Sequence, residues 1–232
     1  VVVALFIRSF LLQMFVIPTD SMTPTLQVGD SLLVNKVSYG LYMPFTGRRV
    51  IQWGQPERGD IVVFERTTGG KDYIKRIIGV PGDRVRVSQS VVYVNGHPIT
   101  GETTHPISSC SGFRTATRWE PSPGECTCIQ RTESIGGGDD TTRWQTPYVI
   151  QHLSSDCGPA RPNWPIAGSW PSQEDRSVDG IQVPPGHVFV MGDNRDHSSD
   201  SRFWGFARSD HIKGVAVVIW YARTWRRVMT WL

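Results

Sequence analysis

The sequence has little net charge and lacks several patterns that would point to a partner. Its formal net charge is +3, from 24 basic and 21 acidic residues, and no basic run carries interleaved aromatic side chains. This near balance gives no support to nucleic acid as a partner. There is no internal repeat, and no Asn-x-Ser/Thr acceptor supports a glycosylated eukaryotic surface protein.

Common catalytic and metal motifs are also absent. There is no Gly-x-Ser-x-Gly elbow, and none of the six histidines lies in a recognisable triad context. The acidic loop from Asp193 to Asp200 lacks the Asp-x-Asp-x-Asn-Gly spacing and terminal glutamate of a calcium loop. Cys126-Thr127-Cys128 has no second closely spaced pair, which argues against zinc. We therefore expect neither a metal nor a cofactor.

Cysteine is sparse, and all four cysteines fall in one loop-rich region, residues 101–180. This pattern favours disulfides over free buried thiols and, last, a metal site. Cys126 and Cys128 are too close to pair with each other, so the preferred bridge joins Cys110 to one of them, with Cys157 as the fourth cysteine. Disulfides would place the chain in an oxidising compartment.

The N-terminal apolar run is too short to span a bilayer, which takes about 20 residues. Residues 1–17 are almost wholly apolar, with Arg8 as the single charge. The run could be a signal-peptide core, a buried helix or the outer end of a transmembrane helix. We favour the last interpretation, for residues 1–16, because Arg8 suits an interface. A membrane tether with the soluble part beginning near Pro18 is the expected consequence.

The remaining composition predicts a β-rich chain. There are 23 glycines, 16 prolines and nine tryptophans, with few long helix-forming runs. Apolar, β-branched runs predict strands at residues 31–34, 61–64, 71–80, 84–87, 91–94, 187–191 and 214–221. Asn95-Gly96 predicts a hairpin turn. Residues 39–49 are predicted as a loop with aromatic anchors, and residues 223–232 as a membrane-surface face or a further helix.

Ser21 is the first candidate catalytic residue, in a hydroxyl-rich segment between Pro18 and Pro24. The prolines restrict the backbone and predict an extended conformation for residues 17–23. Alternation then places Thr19 and Ser21 on one face, with Asp20 on the other. A Thr19 hydroxyl could join the Ser21 amide in holding an oxyanion. Taken alone, such a segment is more often an ordinary turn.

Lys75 is the candidate base for Ser21. Alternation in its predicted strand places it between Tyr73 and Ile77 on one face. A free lysine titrates near 10.4 and is no base at neutral pH, but burial disfavours its charged form. Lowering its pKa by about three units costs roughly 4 kcal/mol. A single lysine in a strand is otherwise an exposed edge residue.

Four ordered segments together carry a resemblance to a known family. They are residues 17–26 (IPTDSMTPTL), 58–64 (RGDIVVF), 72–83 (DYIKRIIGVPGD) and 192–202 (GDNRDHSSDSR). In these segments the chain resembles the bacterial type I signal peptidases, in their order and over most of its length. Only the middle of the chain is poorly covered.

The resemblance implies a role for each matching residue. Ser21 is implied to be the nucleophile and Lys75 the general base, with Thr19 beside the oxyanion and Ser198 orienting Lys75. Structural ion pairs are implied for Arg76, Asp193, Arg195, Asp200 and Arg202. Asp20 departs from the small residue that many relatives carry, and alternation suggests that its carboxylate points away from the site or towards substrate.

The resemblance also implies a fold and an activity. The expected fold is mostly β, with an antiparallel-sheet catalytic core at residues 17–86 and 183–232. A second, smaller β domain at residues 87–182, which holds the cysteines, interrupts this core. The implied activity is that of a membrane-bound serine endopeptidase which removes signal peptides after an Ala-x-Ala site through an acyl-enzyme.

The implied substrate is an extended strand added to a sheet edge. By position, its pockets are lined by Phe15, Ile17, Leu26, Tyr73 and Ile74. The expected partners are preprotein signal peptides and a lipid bilayer, with no nucleic acid and no obligate protein partner. The expected location is the bacterial inner membrane, with the catalytic domain on its periplasmic or outer face.

Two other functions stay open at the level of sequence. A Ser/Lys self-cleaving repressor shares the dyad, but the apolar N-terminus in place of a DNA-binding domain and the cysteine-bearing insert argue against it. A non-catalytic, membrane-tethered β module that binds extended peptides is the second alternative. In such a module Ser21 and Lys75 would be dispensable.

Overall fold

The chain is mostly β, and its sheets are antiparallel, which confirms the predicted fold class. The computed structural model describes residues 11–42, 49–66, 70–88, 91–99, 103–107, 128–133, 148–153 and 180–232. Within these ranges, the α-helical part is the single turn α1, Ser201–Trp204. The described strands are β1 Leu12–Val16, β2 Ser31–Asn35, β3 Gly40–Tyr42, β4 Arg49–Gln52, β5 Ile61–Glu65, β6 Asp72–Gly79, β7 Arg84–Ser88, β8 Val91–Val94, β9 His97–Pro98, β10 Thr103–Ile107, β11 Cys128–Glu133, β12 Tyr148–Leu153, β13 Ile181–Gln182, β14 His187–Met191, β15 Ala207–Arg208, β16 Ile212–Tyr221 and β17 Thr230–Trp231.

One large sheet carries strands from two of the four segments that resemble the family, 58–64 and 72–83. Its order is β1-β2-β16-β5-β6-β14-β15, and β17 pairs with β16 at the side. The β-branched runs of β5 and β14 are buried, whereas β16 alternates between buried and half-buried residues before its exposed end. In the β5–β6 pair Val62 lies opposite Lys75, so this lysine sits in an interior ladder of the sheet.

Three smaller sheets accompany the large one. They have the orders β10-β11-β12, β13-β7-β8-β9 and β3-β4. Asn95 and Gly96 both take positive φ, 53° and 82°, between β8 and β9, which confirms the predicted hairpin turn. Strand β7 crosses the predicted domain boundary after residue 86, and β13 ends at the boundary after residue 182. The division into two domains stays a prediction.

Buried apolar side chains form three clusters in the described part of the chain. The cluster that concerns the site contains Ile17, Met22 and Leu26 from the segment after β1, together with side chains from β2, β5, β6 and β16. Met22 and Leu26 are fully buried. Packing of these residues holds the Ser21 segment against the large sheet.

Two predictions about the first fifty residues need correction. Residues 12–16, predicted as the end of a helix, form strand β1, because each pairs with β2 in antiparallel register. The rest of that prediction, residues 1–10, lies outside the described residues. Residues 39–49 are not all loop, since β3 and β4 pair there.

Two further predictions fall mostly on parts of the chain that the structure does not describe. Cys110, Cys126 and Cys157 lie outside the described residues, and only the backbone of Cys128, in β11, is placed. No helix of the described part is both long and apolar enough to cross a membrane.

Candidate active site

The Ser21 segment begins as a link between β1 and β2 and then turns sharply. Ile17 exchanges backbone hydrogen bonds with Asp30 and Gly29, at 2.8 and 2.9 Å. The Thr23 amide donates to the Asp20 carbonyl at 3.0 Å, which closes a turn around Ser21. The predicted extended conformation is therefore wrong from Asp20 onward. This turn, with the buried Met22 after it, fixes the direction of the Ser21 side chain.

Lys75 reaches the serine from β6. Its Nζ donates to Ser21 Oγ at 2.6 Å and to the Ile74 carbonyl at 2.9 Å, and its side chain is buried. Burial lowers the pKa of Lys75 to about 8, although the carboxylates of Asp200 and Asp193 act in the opposite direction. A lysine with this pKa carries a substantial neutral fraction near neutral pH and can accept a proton there.

Thr19 and Ser198 supply the two other hydroxyls of the predicted site, and only Thr19 lies beside Ser21 Oγ. Thr19 Oγ1 is 3.5 Å from Ser21 Oγ, so the structure brings these hydroxyls together. Ser198 is buried, and among the described residues its hydroxyl meets no hydrogen-bond partner. The expected hydrogen bond between Ser198 and Lys75 is not formed in this structure, and the Lys75 amine donates to the Ile74 carbonyl. The Ser198 hydroxyl still lies close enough to the Asp200 carboxylate to help lower the pKa of Asp200, although its geometry falls short of a hydrogen bond.

Arg76 and Asp193 form a buried ion pair beside Lys75. Arg76 donates to the two carboxylate oxygens at 2.9 and 2.7 Å, a bidentate geometry. Burial alone would lower the pKa of Arg76, but Asp193 raises it. Thr25, from the Ser21 segment, also donates to Asp193 at 2.5 Å. The pair thus joins β6, the Ser21 segment and the loop after β14.

Asp200 and Arg202 form a second pair at the end of the same loop. Arg202 Nε donates to Asp200 at 2.8 Å, and its Nη2 also donates to the Arg195 carbonyl at 2.6 Å. The Gly192 amide donates to the other oxygen of Asp200 at 3.0 Å. Burial alone would raise the pKa of Asp200, yet Arg202 and this amide hold it below its ordinary value. These contacts link the two ends of the loop at residues 192–202 to each other.

Arg195 pairs with a residue that the sequence analysis missed. Its guanidinium donates to both carboxylate oxygens of Glu133 in β11, one of them at 2.7 Å. The Tyr148 hydroxyl, from β12, donates to the same carboxylate at 2.9 Å. Glu133 and Tyr148 lie in the region where the family resemblance is weak, and no local pattern distinguishes them in the sequence. Their contacts attach the β10-β11-β12 sheet to the site.

The predicted pocket residues divide between two clusters. Ile17, Leu26 and Ile74 share the buried cluster that contains Met22, and Phe15 packs against it. Tyr73 packs instead on Phe64, at 6.0 Å between ring centroids, in a different cluster. Leu26 is fully buried and can only support a pocket from behind. Four of the five predicted residues are therefore close together, and Tyr73 is apart.

Asp20 has a partner that alternation alone does not reveal. Both of its carboxylate oxygens lie 2.9 Å from Nδ1 of His197. His197 directly precedes Ser198, in the short 3₁₀ turn Arg195–His197. Asp20 and His197 lie in two different segments that carry the family resemblance, and their contact joins residues 177 positions apart.

Within the described residues, no group of three or more histidine, cysteine, aspartate or glutamate side chains could hold a metal ion. The chemistry available in this site is that of its own side chains: a serine hydroxyl, a buried amine and a second hydroxyl at Thr19. Such a set can activate an oxygen nucleophile towards a carbonyl carbon.

The class that this fold and the serine–lysine contact indicate is that of the peptidases, and sequence comparison agrees. A profile of the family described as "Signal peptidase, peptidase S26" matches residues 1–221. The chain belongs to this family.

Similar proteins carry the corresponding name. Signal peptidase I of Pseudomonas fluorescens is 34% identical, over 94% of this chain and 68% of that protein. Signal peptidase I of Aquifex aeolicus is 35% identical, over 96% and 80% respectively. A solved signal peptidase I structure from Enterococcus faecalis is 22% identical and covers 69% of this chain and 96% of its own, with a TM-score of 0.35.

Proposed function

We propose that the chain removes signal peptides from exported preproteins, as a serine endopeptidase with Ser21 as nucleophile and Lys75 as general base. The observation that carries the proposal is the 2.6 Å contact between Lys75 Nζ and Ser21 Oγ, made by a lysine whose pKa burial lowers to about 8. Serine needs a base within hydrogen-bond reach, and a base works best with a pKa near the operating pH.

The reaction follows from these two groups. Neutral Lys75 takes the Ser21 proton as Oγ attacks the carbonyl carbon of the scissile bond. The oxygen that becomes negative is held by the Ser21 amide and the Thr19 hydroxyl. Protonated Lys75 then gives its proton to the departing amine, which leaves an ester on Ser21. Water, deprotonated by Lys75, attacks the ester and releases the signal peptide as a carboxylic acid, and the proton returns to Ser21.

The substrate binds as an extended strand, with small residues such as alanine at the first and third positions before the cut. Among the described strands, β1 pairs only with β2, so its other edge can accept a peptide by backbone hydrogen bonds. Phe15, in β1, then supplies the partly exposed part of the apolar lining, with the buried Ile17 and Ile74 behind it. Shallow pockets made in this way admit small side chains.

The enzyme acts at the bacterial inner membrane, with its catalytic part on the periplasmic or outer face. Large apolar side chains are exposed in two places near the ends of the described chain. Met14 and Val16 project from β1, and Trp220, Trp225 and Trp231 belong to the C-terminal region. Tryptophan is favoured at membrane–water interfaces, which supports contact with a bilayer.

Cleavage of a preprotein with an Ala-x-Ala site, in detergent, tests the proposed function. We expect the parent chain to cut after the second alanine. Ser21→Ala and Lys75→Ala should each lose activity by a factor of 10⁴ or more, on the order of what removing members of a catalytic unit costs. Circular dichroism checks that both variants fold.

The matched controls are Lys71→Ala, which removes an exposed lysine four residues before Lys75, and Ser88→Ala, at the end of β7. Both should cut at the parent rate. A folded Lys75→Ala variant that still cuts near the parent rate would show that another residue is the base. A parent that binds the preprotein without cutting it would instead favour a non-catalytic peptide-binding module.

A further inference from the structure

Asp20 and His197 make a contact beside the catalytic residues. Asp20 immediately precedes the nucleophile Ser21, and His197 immediately precedes Ser198. Both carboxylate oxygens of Asp20 lie 2.9 Å from Nδ1 of His197. The two side chains are only partly exposed, 18% for Asp20 and 37% for His197. None of the proposed chemical steps uses either side chain.

The same two segments are also joined through Asn194, which is fully buried. Its backbone amide donates to the Ser21 carbonyl at 3.1 Å, and its side-chain amide donates to the Asp20 carbonyl at 3.2 Å. The Asn194 carbonyl in turn accepts from the His197 amide at 3.1 Å and so closes the 3₁₀ turn. Asn194 is therefore the buried link between the two segments, and the Asp20–His197 pair is the partly exposed link.

The backbone on both sides of Ser21 is held beside this contact. Asn194 donates to the carbonyls of both Asp20 and Ser21. The Thr23 amide also donates to the Asp20 carbonyl, at 3.0 Å. Because its carboxylate contacts His197, the Asp20 side chain, which precedes the nucleophile, has less freedom to rotate. Small displacements of a reacting atom are costly, since about 1 Å can lower a rate on the order of 100-fold.

We propose that Asp20 and His197 are positioning residues, a pair that fixes the turn carrying Ser21 so that its hydroxyl stays aligned with Lys75. The inference rests on the proposed function, since it concerns the same reaction. Neither side chain belongs to the predicted substrate pocket, so loss of the pair acts on kcat and leaves KM nearly unchanged.

Asp20 has a second, electrostatic effect that the test must separate from positioning. Lys75 is surrounded by Asp200, Asp193 and Asp20, whose charges raise its pKa, and by Arg202, whose charge lowers it. Asp20→Asn keeps an oxygen that can accept from His197 but removes the charge. This variant should keep kcat near the parent value while the acid limb of kcat/KM moves to lower pH.

The decisive variants are Asp20→Ala, His197→Ala, the double variant and His197→Asn, assayed for kcat and KM on the preprotein. We expect each single alanine variant to lose about fivefold in kcat, in line with the loss of one partly buried charged hydrogen bond. The double variant should lose no more than either single variant, because the contact is already broken. His197→Asn should recover most of kcat, since asparagine Nδ2 can stand where Nδ1 does.

The matched control is the pair Arg208–Asp210, which lies 2.6 Å apart at the surface with both side chains more than half exposed. Arg208→Ala and Asp210→Ala should leave kcat unchanged. Losses at Asp20 and His197 that simply multiply in the double variant would overturn the proposal, as would a His197→Asn variant as slow as His197→Ala.

A second readout does not depend on activity. Hydrogen exchange of residues 17–26, followed by mass spectrometry, should become faster in both alanine variants and stay at the parent rate in His197→Asn. Unchanged exchange in the alanine variants would overturn the positioning role. If the parent fails to cut the preprotein, the proposed function fails, and hydrogen exchange still decides whether the pair holds the Ser21 segment.

Discussion

At the scale of single residues, the site depends on a lysine that is placed where its charge is least stable. Lys75 lies in an interior ladder of the large sheet, and its side chain is 4% exposed. Its pKa falls from 10.5 to about 8 because burial outweighs the attraction of three carboxylates. The same burial that makes the amine a usable base also costs folding free energy, so activity and stability should depend on pH in linked ways.

The rate should therefore report the protonation of Lys75. Only the neutral amine can accept the Ser21 proton, so kcat/KM should rise about tenfold per pH unit below pH 8 and level off above it. Steady-state cleavage of a signal-peptide substrate between pH 6 and 10 checks this. An acid limb that ends near pH 6.5 would point to a histidine as the base instead.

Replacement of Lys75 by methionine should expose the stability cost. A pKa lowered from 10.5 to about 8 means that the unfolded chain binds one more proton than the folded chain between these values. Stability of the parent therefore rises with pH across this window, by about 3 kcal/mol at 1.36 kcal/mol per pKa unit. Lys75→Met lacks this titrating group. The unfolding free energy of the variant minus that of the parent should therefore fall by the same amount as the pH rises across this window.

Urea unfolding of both proteins at several values between pH 7 and 10.5 gives this difference. The control is Lys71→Met, at an exposed position, whose difference from the parent should stay constant with pH. A constant difference for Lys75→Met as well would mean that Lys75 is not desolvated in the folded protein.

Gly192 is a residue whose lack of a side chain the site requires. A Cβ at this position would collide with the Ser198 side chain and with the backbone carbonyl of Ser21. We expect Gly192→Ala to lower kcat about 100-fold, since the Ser21 turn must move to make room. Gly82→Ala, whose Cβ meets open space but whose φ of 94° strains a side chain, is the control for general destabilisation and should keep kcat. A Gly192→Ala variant with parent kcat would contradict the packing described.

Local sequence predicts some of these residues and not others. Ser21 and Lys75 could be singled out because the ordered segments around them together resemble one family, whereas each alone fits an ordinary turn or an edge lysine. Glu133 could not, because its contact with Arg195 joins positions 62 residues apart and nothing around it repeats. The Asp20–His197 contact was hidden for a related reason, since a turn at Asp20 replaces the alternation that points its carboxylate away.

At the scale of elements, the site is assembled between sheets. Glu133 brings β11 to the loop after β14, and it is 1% exposed. Removing one partner of a buried ion pair leaves an uncompensated charge, which costs about 3–5 kcal/mol. We expect Glu133→Gln to lower the unfolding free energy by about 3 kcal/mol, because Arg195 remains charged.

Denaturant unfolding measures this effect, and the comparison is Asp210→Asn in the exposed pair with Arg208, which should cost less than about 1 kcal/mol. The double variant Glu133→Met, Arg195→Met should recover much of the loss, since it removes both charges. A loss below about 1 kcal/mol for Glu133→Gln would show that this contact does not hold the two parts together.

Elements were easier to predict from sequence than their partners. Strands β2, β5, β6, β7, β8, β14 and β16 were predicted from β-branched or alternating runs, with ends within two residues of the observed ones. Strands β3 and β4 were missed because their stretch is rich in aromatic, glycine and polar residues. β1 was assigned to a helix because its apolar composition fits either structure, and only its pairing with β2 decides between them.

At the scale of the whole molecule, the exposed aromatic side chains concern where the enzyme works. Trp220, Trp225 and Trp231 are 51%, 87% and 76% exposed, and the neighbouring Arg223 and Arg226 are exposed as well. In water this surface is unfavourable, whereas tryptophan rings at headgroup level and arginines near anionic lipids are both stabilised. We therefore expect these rings to insert into the interface of a bilayer.

Brominated lipids, which quench nearby tryptophans, test this expectation even if another segment anchors the chain. Trp225→Ala with Trp231→Ala should lower the quenched fraction of the fluorescence on vesicles that contain anionic lipid. Trp53→Ala removes an exposed tryptophan beside the β3-β4 sheet and should leave the quenched intensity as it was. If the double variant is quenched as strongly as the parent, the aromatic surface does not face the bilayer, and the orientation of the Ser21 site towards the membrane must be set by other contacts.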